Sequence, residues 1–158
     1  GVQTCALPIW CHKVMMLTGE YHHQIDEKGR IRIPAKLKEA LGMSPVITRG
    51  SNGCLFVFSK EKAEKMFENS FEGDDLADTP RTRALRLISS SAAVAEEDKQ
   101  GRILLPPSLI KKAGIVKNIV TIGAYDRVEI WSEERWQAYV DDDNMDFDEC
   151  LKSLKKSV

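Results

Sequence analysis

The sequence predicts an α+β fold built from two tandem repeats. Each repeat runs strand, turn, strand and short helix, then a hairpin and a longer helix. Three observations carry this. The stretch Ile25-Asp26-Glu27-Lys28-Gly29-Arg30-Ile31-Arg32-Ile33-Pro34 returns as Asp98-Lys99-Gln100-Gly101-Arg102-Ile103-Leu104-Leu105-Pro106, with Asp26 and Asp98, Arg30 and Arg102, and Pro34 and Pro106 each 72 positions apart. Apolar residues alternate with polar ones around each turn, then switch to helical spacing after each proline. One residue is inserted after Gly114, so that Gly123 answers Gly50, Trp131 answers Phe58 and Ser132 answers Ser59 at an offset of 73. A repeat covering most of the chain is a statement about architecture.

Bulk composition sets the outer limits. The 158 residues suffice for one domain or for two half-size units sharing a core. With 42% hydrophobic and 30% charged residues the chain reads as globular, and no apolar run reaches the roughly 18 residues needed to span a bilayer. A net charge of −1 gives no global pull toward nucleic acid, so affinity for phosphates has to come from a local patch or from several copies acting together. Cys5, Cys11, Cys54 and Cys150 form no C-x-x-C pair, and His12, His22 and His23 lack zinc spacing beside them. No metal and no cofactor is expected.

Residues 1–14 differ from the rest. The run GVQTCALPI resembles the translation of a sequencing-library adapter, lacks the basic start of a secretory signal, and is set aside, with the start expected at Met15 or Met16. From Thr18 a strand pattern begins, with Tyr21, His23 and Ile25 on one face and Glu20, His22 and Gln24 on the other. Asp26-Glu27-Lys28-Gly29 has Asp first and Gly fourth, the signature of a type I turn with a glycine bulge. In the return strand Ile31 and Ile33 point one way and Arg30 and Arg32 the other. Pro34 opens a short helix to Leu41, ended by Gly42. Val46–Thr48 and Cys54–Phe58 flank a Gly50-Ser51-Asn52-Gly53 turn, and Ser59 caps a helix from Lys60 to about Phe71.

The second half repeats the scheme. Gly73, three aspartates and Pro80 mark a break. Thr79-Pro80 then starts a connecting helix, Arg81 to about Ser89, with Leu85 and Ile88 expected to be buried. Ala92 to Ala95 opens the second copy, Asp98-Lys99-Gln100-Gly101 is its turn, Pro106 to Ala113 its short helix and Glu133 to about Val140 its last. Repeat 1 is thus 16–71, the linker with the connecting helix 72–91, repeat 2 92–140 and the tail 141–158. The tail is acidic, then basic, and reads as solvated and partly disordered, with a loose amphipathic helix around Met145, Phe147, Leu151 and Leu154 as the alternative.

Gly19-Glu20-Tyr21, His23 and then Ile25-Asp26-x-Lys28-Gly29-Arg30-Ile31-x-Ile33-Pro34 resemble the opening of the bacterial MraZ proteins, and the paired Asp26/Arg30 and Asp98/Arg102 resemble that family's repeated signature. The family belongs to the wider AbrB/SpoVT-like group, and the resemblance runs from about Met16 to about Tyr139. It implies an intramolecular pseudo-dimer of double-split β-α-β, swapped-hairpin barrel type. It further implies a homo-oligomeric ring that binds short direct repeats in double-stranded promoter DNA. Such a repressor acts on its own promoter and on the division and cell-wall gene cluster, in the cytoplasm at the nucleoid.

Candidate site residues follow from both lines. Asp26, Gly29, Pro34, Asp98, Gly101 and Pro106 are the shared structural frame. Arg30 and Arg102 have two readings: an ion pair that pins the turn, or a bidentate contact to DNA. Lys28 and Arg32 are the stronger candidates for DNA, because the second copy has Gln100 and Leu104 in their places. Lys36 adds to a segment, Asp26 to Arg49, in which six basic residues (Lys28, Arg30, Arg32, Lys36, Lys38, Arg49) meet three acidic ones. Such a basic two-stranded ribbon suits the major groove. Tyr125, Trp131, Trp136, Phe56 and Phe58 read as core or subunit interface. No nucleophile–base set, phosphate loop or H-x-x-x-H helix occurs, so an enzyme is not expected. The alternative to a repressor is an antitoxin-type DNA-binding protein whose tail holds a partner.

Overall fold

A computed structural model describes residues 16–71 and 77–154. The adapter-like leader, Met15, Cys5, Cys11, His12, the 72–76 part of the linker and the final lysines Lys155 and Lys156 lie outside the described residues. The first repeat holds β1 (Glu20–Gln24), β2 (Arg30–Ile31), α1 (Ala35–Leu41), β3 (Val46–Arg49), a 3-10 turn (Ser51–Gly53), β4 (Leu55–Phe58) and α2 (Lys60–Phe71). After α3 (Pro80–Ser91), the second holds β5 (Ala93–Val94), β6 (Ile103–Leu104), α4 (Pro107–Lys112), β7 (Asn118–Gly123), β8 (Val128–Ser132) and α5 (Glu133–Val140). The chain continues into α6 (Phe147–Leu154).

The local caps fall where the sequence puts them. Thr79 Oγ1 accepts from the N–H of Thr82, Ser59 Oγ from Lys62 and Ser132 Oγ from Arg135, so α3, α2 and α5 each start on a hydroxyl. Gly42, at φ +71, follows α1 and donates its N–H to the Lys38 carbonyl.

Pairing between strands departs from the simple hairpin reading. β1 does not pair with β2. It pairs antiparallel with β7 of the other repeat, while β2 pairs with β6. The large sheet has the antiparallel order β1-β7-β8-β4-β3-β5, and the small one is β2-β6. Exchanging the repeats (β1 for β5, β3 for β7, β4 for β8) reverses that order and so leaves the sheet unchanged. The first strand of each repeat therefore lies on the other repeat's hairpin. This is the exchanged pseudo-dimer the resemblance implies, and the two-stranded ribbon of the basic segment is made between repeats instead of within one. The reason is burial: pairing β2 with β6 sets Ile31 opposite Ile103, at 1% and 2% exposure, in a core both repeats share.

That core draws on equivalent positions. Leu37 and Leu109, Ile33 and Leu105, and Ile47 and Val120 are all buried, and each fully buried aliphatic side chain contributes roughly 1.5–3 kcal/mol. Two other expectations need correction, the burial of Leu85 and Ile88 and the partly disordered tail. Leu85 and Ile88 are only half-buried, because α3 packs on β3 along one narrow face, and the buried residue of that helix is Thr82, whose hydroxyl donates to the Ala77 carbonyl. Of the aromatic residues read as core or subunit interface, Phe58 and Trp131 are buried and Phe56 and Trp136 half-buried, while Tyr125, at φ +70 in the turn between β7 and β8, is outside the core of the chain. Within the tail, Phe147–Leu154 form helix α6, the alternative form of that segment, and it stays solvated: Phe147, Leu151 and Leu154 are exposed, as is Met145 just before it.

Candidate nucleic-acid interface

Each turn is held by its aspartate. Asp26 Oδ1 accepts the N–H groups of Lys28 and Arg30 at 2.9 and 2.8 Å, and Asp98 Oδ1 accepts those of Gln100 and Arg102 at 2.8 and 2.9 Å. The N–H of Gly29 reaches the Asp26 carbonyl and that of Gly101 the Asp98 carbonyl, with both glycines at positive φ (+83 and +76). Both carboxyls are held below the usual carboxylate range. The backbone N–H of Arg30 is the main cause at Asp26 and that of Arg102 at Asp98, outweighing a smaller opposing effect of partial desolvation.

The arginines then join the two turns. Arg30 Nε donates to Asp26 Oδ2 at 2.7 Å and Arg102 Nε to Asp98 Oδ2 at 2.9 Å. Across the boundary, Arg30 Nη1 stands 4.0 Å from Asp98 and Arg102 Nη1 3.7 Å from Asp26. Four charges of alternating sign thus close a ring that obeys the pseudo-twofold. Of the two readings of these arginines, the ion pair is observed, and it reaches further than one turn. A guanidinium has five N–H donors, so these contacts leave donors unused, and the Arg30 and Arg102 side chains keep 27% and 23% of their exposure.

The other predicted residues stand apart from this ring. Lys28, Arg32 and Lys36 are exposed and have no ion pair or side-chain hydrogen bond among the described residues. Pro34 and Pro106 precede α1 and α4 in extended conformation, turning each chain from strand to helix. Lys38 belongs to the frame: its ammonium pairs with Glu97 at 2.7 Å and lies against the second turn at Gly101. Its counterpart Ile110 lies against Gly29 in the first turn. Sequence reasoning missed Lys99. It is exposed in the second turn, so each turn carries one lysine, at neighbouring positions of the motif, and the first turn has no excess of cations over the second. Comparing the turns as four-residue units, Asp-Glu-Lys-Gly with Asp-Lys-Gln-Gly, would have found it.

Among the described residues no group of three His, Cys, Asp or Glu side chains is gathered as a metal site, and no helix is long and apolar enough to cross a membrane. Cys54 is buried, and burial pushes its thiol up to about 12.

Comparison with known proteins agrees with the repeat. The family described as MraZ protein, putative antitoxin-like, matches residues 16–87 and again 89–156. A transcriptional regulator MraZ of Lactobacillus delbrueckii subsp. bulgaricus is 42% identical over 144 residues, covering 88% of this chain and 96% of its own length. The protein of the same name from Heliobacterium modesticaldum is 44% identical over 144 residues with the same coverage, and that of Clostridium beijerinckii 41% identical over 139. With both halves matched and such relatives spanned almost end to end, the chain belongs to the MraZ family.

Proposed function

We propose that this chain is a DNA-binding transcriptional regulator, a repressor that occludes a promoter and performs no chemistry. The observation that carries the reading is the β2–β6 pairing, which gathers both turns and their basic side chains onto one exposed face. Lys28, Arg32 and Lys36 have no acidic partner among the described residues and are available to phosphates and base edges. Arg30 and Arg102 have donors to spare beyond the ring that holds them, and Lys99 adds a charge from the second turn. The names of the relatives point the same way.

The finer parts of the proposal rest on the family resemblance. They are a homo-oligomeric ring engaging short direct repeats, action on its own promoter and the division and cell-wall gene cluster, and residence in the cytoplasm at the nucleoid. A single face of this modest charge gains affinity by repetition, since linked sites raise effective concentration. The test is fluorescence anisotropy with duplex DNA from upstream of its own gene, at about 50 and 200 mM salt. Binding that weakens steeply with salt and exceeds that to scrambled duplex is expected. Equal binding to both duplexes would reject sequence-specific regulation.

A second reading has one observation of its own. Helix α6, which falls inside the second family match, exposes Phe147, Leu151 and Leu154, and the family description includes the words antitoxin-like. A partner protein held there would co-purify with the full chain and be lost on deletion of residues 141–158.

A further inference from the structure

The β2–β6 face is symmetric in backbone and asymmetric in side chains. Its outward positions are Arg30 and Arg32 on the first repeat and Arg102 and Leu104 on the second, so that Arg32 and Leu104 occupy equivalent places. Leu104 is 57% exposed, while its neighbours Ile103 and Leu105 are 2% and 0% exposed. It stands directly opposite Arg30 in the antiparallel register. Its Cδ1 lies 3.8 Å from where a Cβ on Gly29 would stand, against the first turn. Basic residues neighbour it: Arg30 across the strand, Lys28 next to Gly29 in the adjoining turn, and Arg102 two positions back on its own strand, both arginines held by Asp26 and Asp98.

An isobutyl group set among guanidinium and ammonium groups makes a poor centre for a protein–protein contact, because burying it there would desolvate the charges around it. It suits an apolar group carried on a polyanion. The major groove of DNA offers one such group, the C5-methyl of thymine, and an exposed aliphatic side chain reads it by contact alone. We propose that Leu104 is a specificity-determining residue that contacts a thymine methyl, while Arg32 takes a hydrogen-bonding base edge at the equivalent place. Each subunit then reads a box that is not palindromic, although the fold that presents the side chains is nearly twofold. This rests on the DNA-binding reading above.

The test replaces each thymine of the bound duplex, one at a time, by deoxyuridine, which removes only the methyl group. Binding is measured with the full chain and with Leu104→Ala. For the unaltered protein, one or two positions are expected at which loss of the methyl weakens binding roughly fourfold, the effect of one buried methyl group. At those positions Leu104→Ala binds both duplexes alike, at an unchanged thermal midpoint. Leu104→Arg, which makes the repeats alike, is expected to lose the preference for thymine there. If the two proteins lose equally at every thymine, or no thymine matters, Leu104 does not read the methyl. A change in particle mass with Leu104→Ala would reassign the residue to a subunit interface. Failure of the unaltered protein to bind any upstream duplex would overturn the DNA-binding reading itself, and this inference with it.

Discussion

Arg102 Nη1 lies 3.7 Å from Asp26 Oδ2, across the boundary between the two repeats, and Arg30 returns the contact to Asp98 at 4.0 Å. The motif residues that look like two copies of one local device are therefore a single device in two halves. The aspartates fold their own turns through backbone N–H groups and hold the opposite turn through its arginine. A protein that presents both turns on one face needs them fixed relative to each other, and this ring does so.

That arrangement sets an acid response. A carboxyl with a depressed folded-state pKa adds stability in full above its unfolded value of about 4, and that stability is lost as pH falls through the folded value. The directions at Asp26 and Asp98 are both downward. Their share of the stability should be intact above about pH 5 and be lost below about pH 4, beneath an earlier decline that starts at about pH 6 because burial holds the half-buried His23 imidazole below its usual value. Asp26→Asn with Asp98→Asn should start lower at neutral pH and lose less on acidification. Circular dichroism melts across that range decide it, and parallel acid limbs would assign the effect to other carboxyls.

The same ring separates two classes of arginine variant. Arg32→Ala removes an exposed side chain with no partner among the described residues, so melting should stay unchanged. DNA affinity should drop roughly 10- to 100-fold if the residue grips a guanine. Arg102→Ala should lower the thermal midpoint as well, because Asp26 and Asp98 lose a partner. Lys28→Ala and Lys36→Ala should each reduce the salt slope by about 1 while weakening all duplexes alike. Anisotropy titrations over salt, paired with melts, read out all four.

The sequence showed most clearly what is local. The aspartate turns, the three hydroxyl caps and the glycine after α1 each depend on four or five consecutive residues, and each appears in place. Strand exchange could not be read that way. Because Ile31 and Ile103 sit in near-identical stretches, the pattern is the same whether a strand pairs at home or with the other repeat. Only burial in three dimensions, together with family resemblance, separates the two. Lys99 escaped because position-by-position comparison set it against Glu27. Glu129 escaped for another reason: Val128-Glu129-Ile130 alternates like a half-exposed strand, yet β8 is central to the sheet and buried throughout.

Two glycines make a controlled pair for stability. Gly42 has positive φ and open space around it, while a Cβ on Gly123 would stand 2.3 Å from the backbone nitrogen of Thr18. Gly42, at φ +71 and ψ −157, has a backbone conformation open essentially to glycine alone, so Gly42→Ala should cost roughly 1–3 kcal/mol from backbone strain with no clash. Gly123→Ala should cost roughly 1–3 kcal/mol and loosen the Leu17–Tyr125 bridge at the edge of the large sheet. Urea unfolding gives the energies. Hydrogen exchange at the Leu17 and Tyr125 amides, which bond each other's carbonyls at 2.9 Å, should rise only in the Gly123 variant.

Glu129 is a buried charge that depends on one cation. It is 7% exposed and satisfied on both oxygens: Oε1 accepts from Trp131 Nε1 at 3.1 Å, and Oε2 from Arg127 Nε at 2.9 Å. Arg127 also stacks over the Phe56 ring at 4.5 Å, and Phe56 is the cross-strand neighbour of Glu129 at the junction of β4 and β8. A buried carboxylate stripped of its cation keeps its desolvation cost. Arg127→Met should therefore destabilise by about 2 kcal/mol, toward the low end because water already reaches the Arg127 side chain. Adding Glu129→Gln removes the charge while leaving an oxygen for Trp131, so the double variant should recover most of the loss. A urea cycle over the four proteins measures the coupling. If the losses simply add, Arg127 is there for its stacking on Phe56 and not for the charge of Glu129.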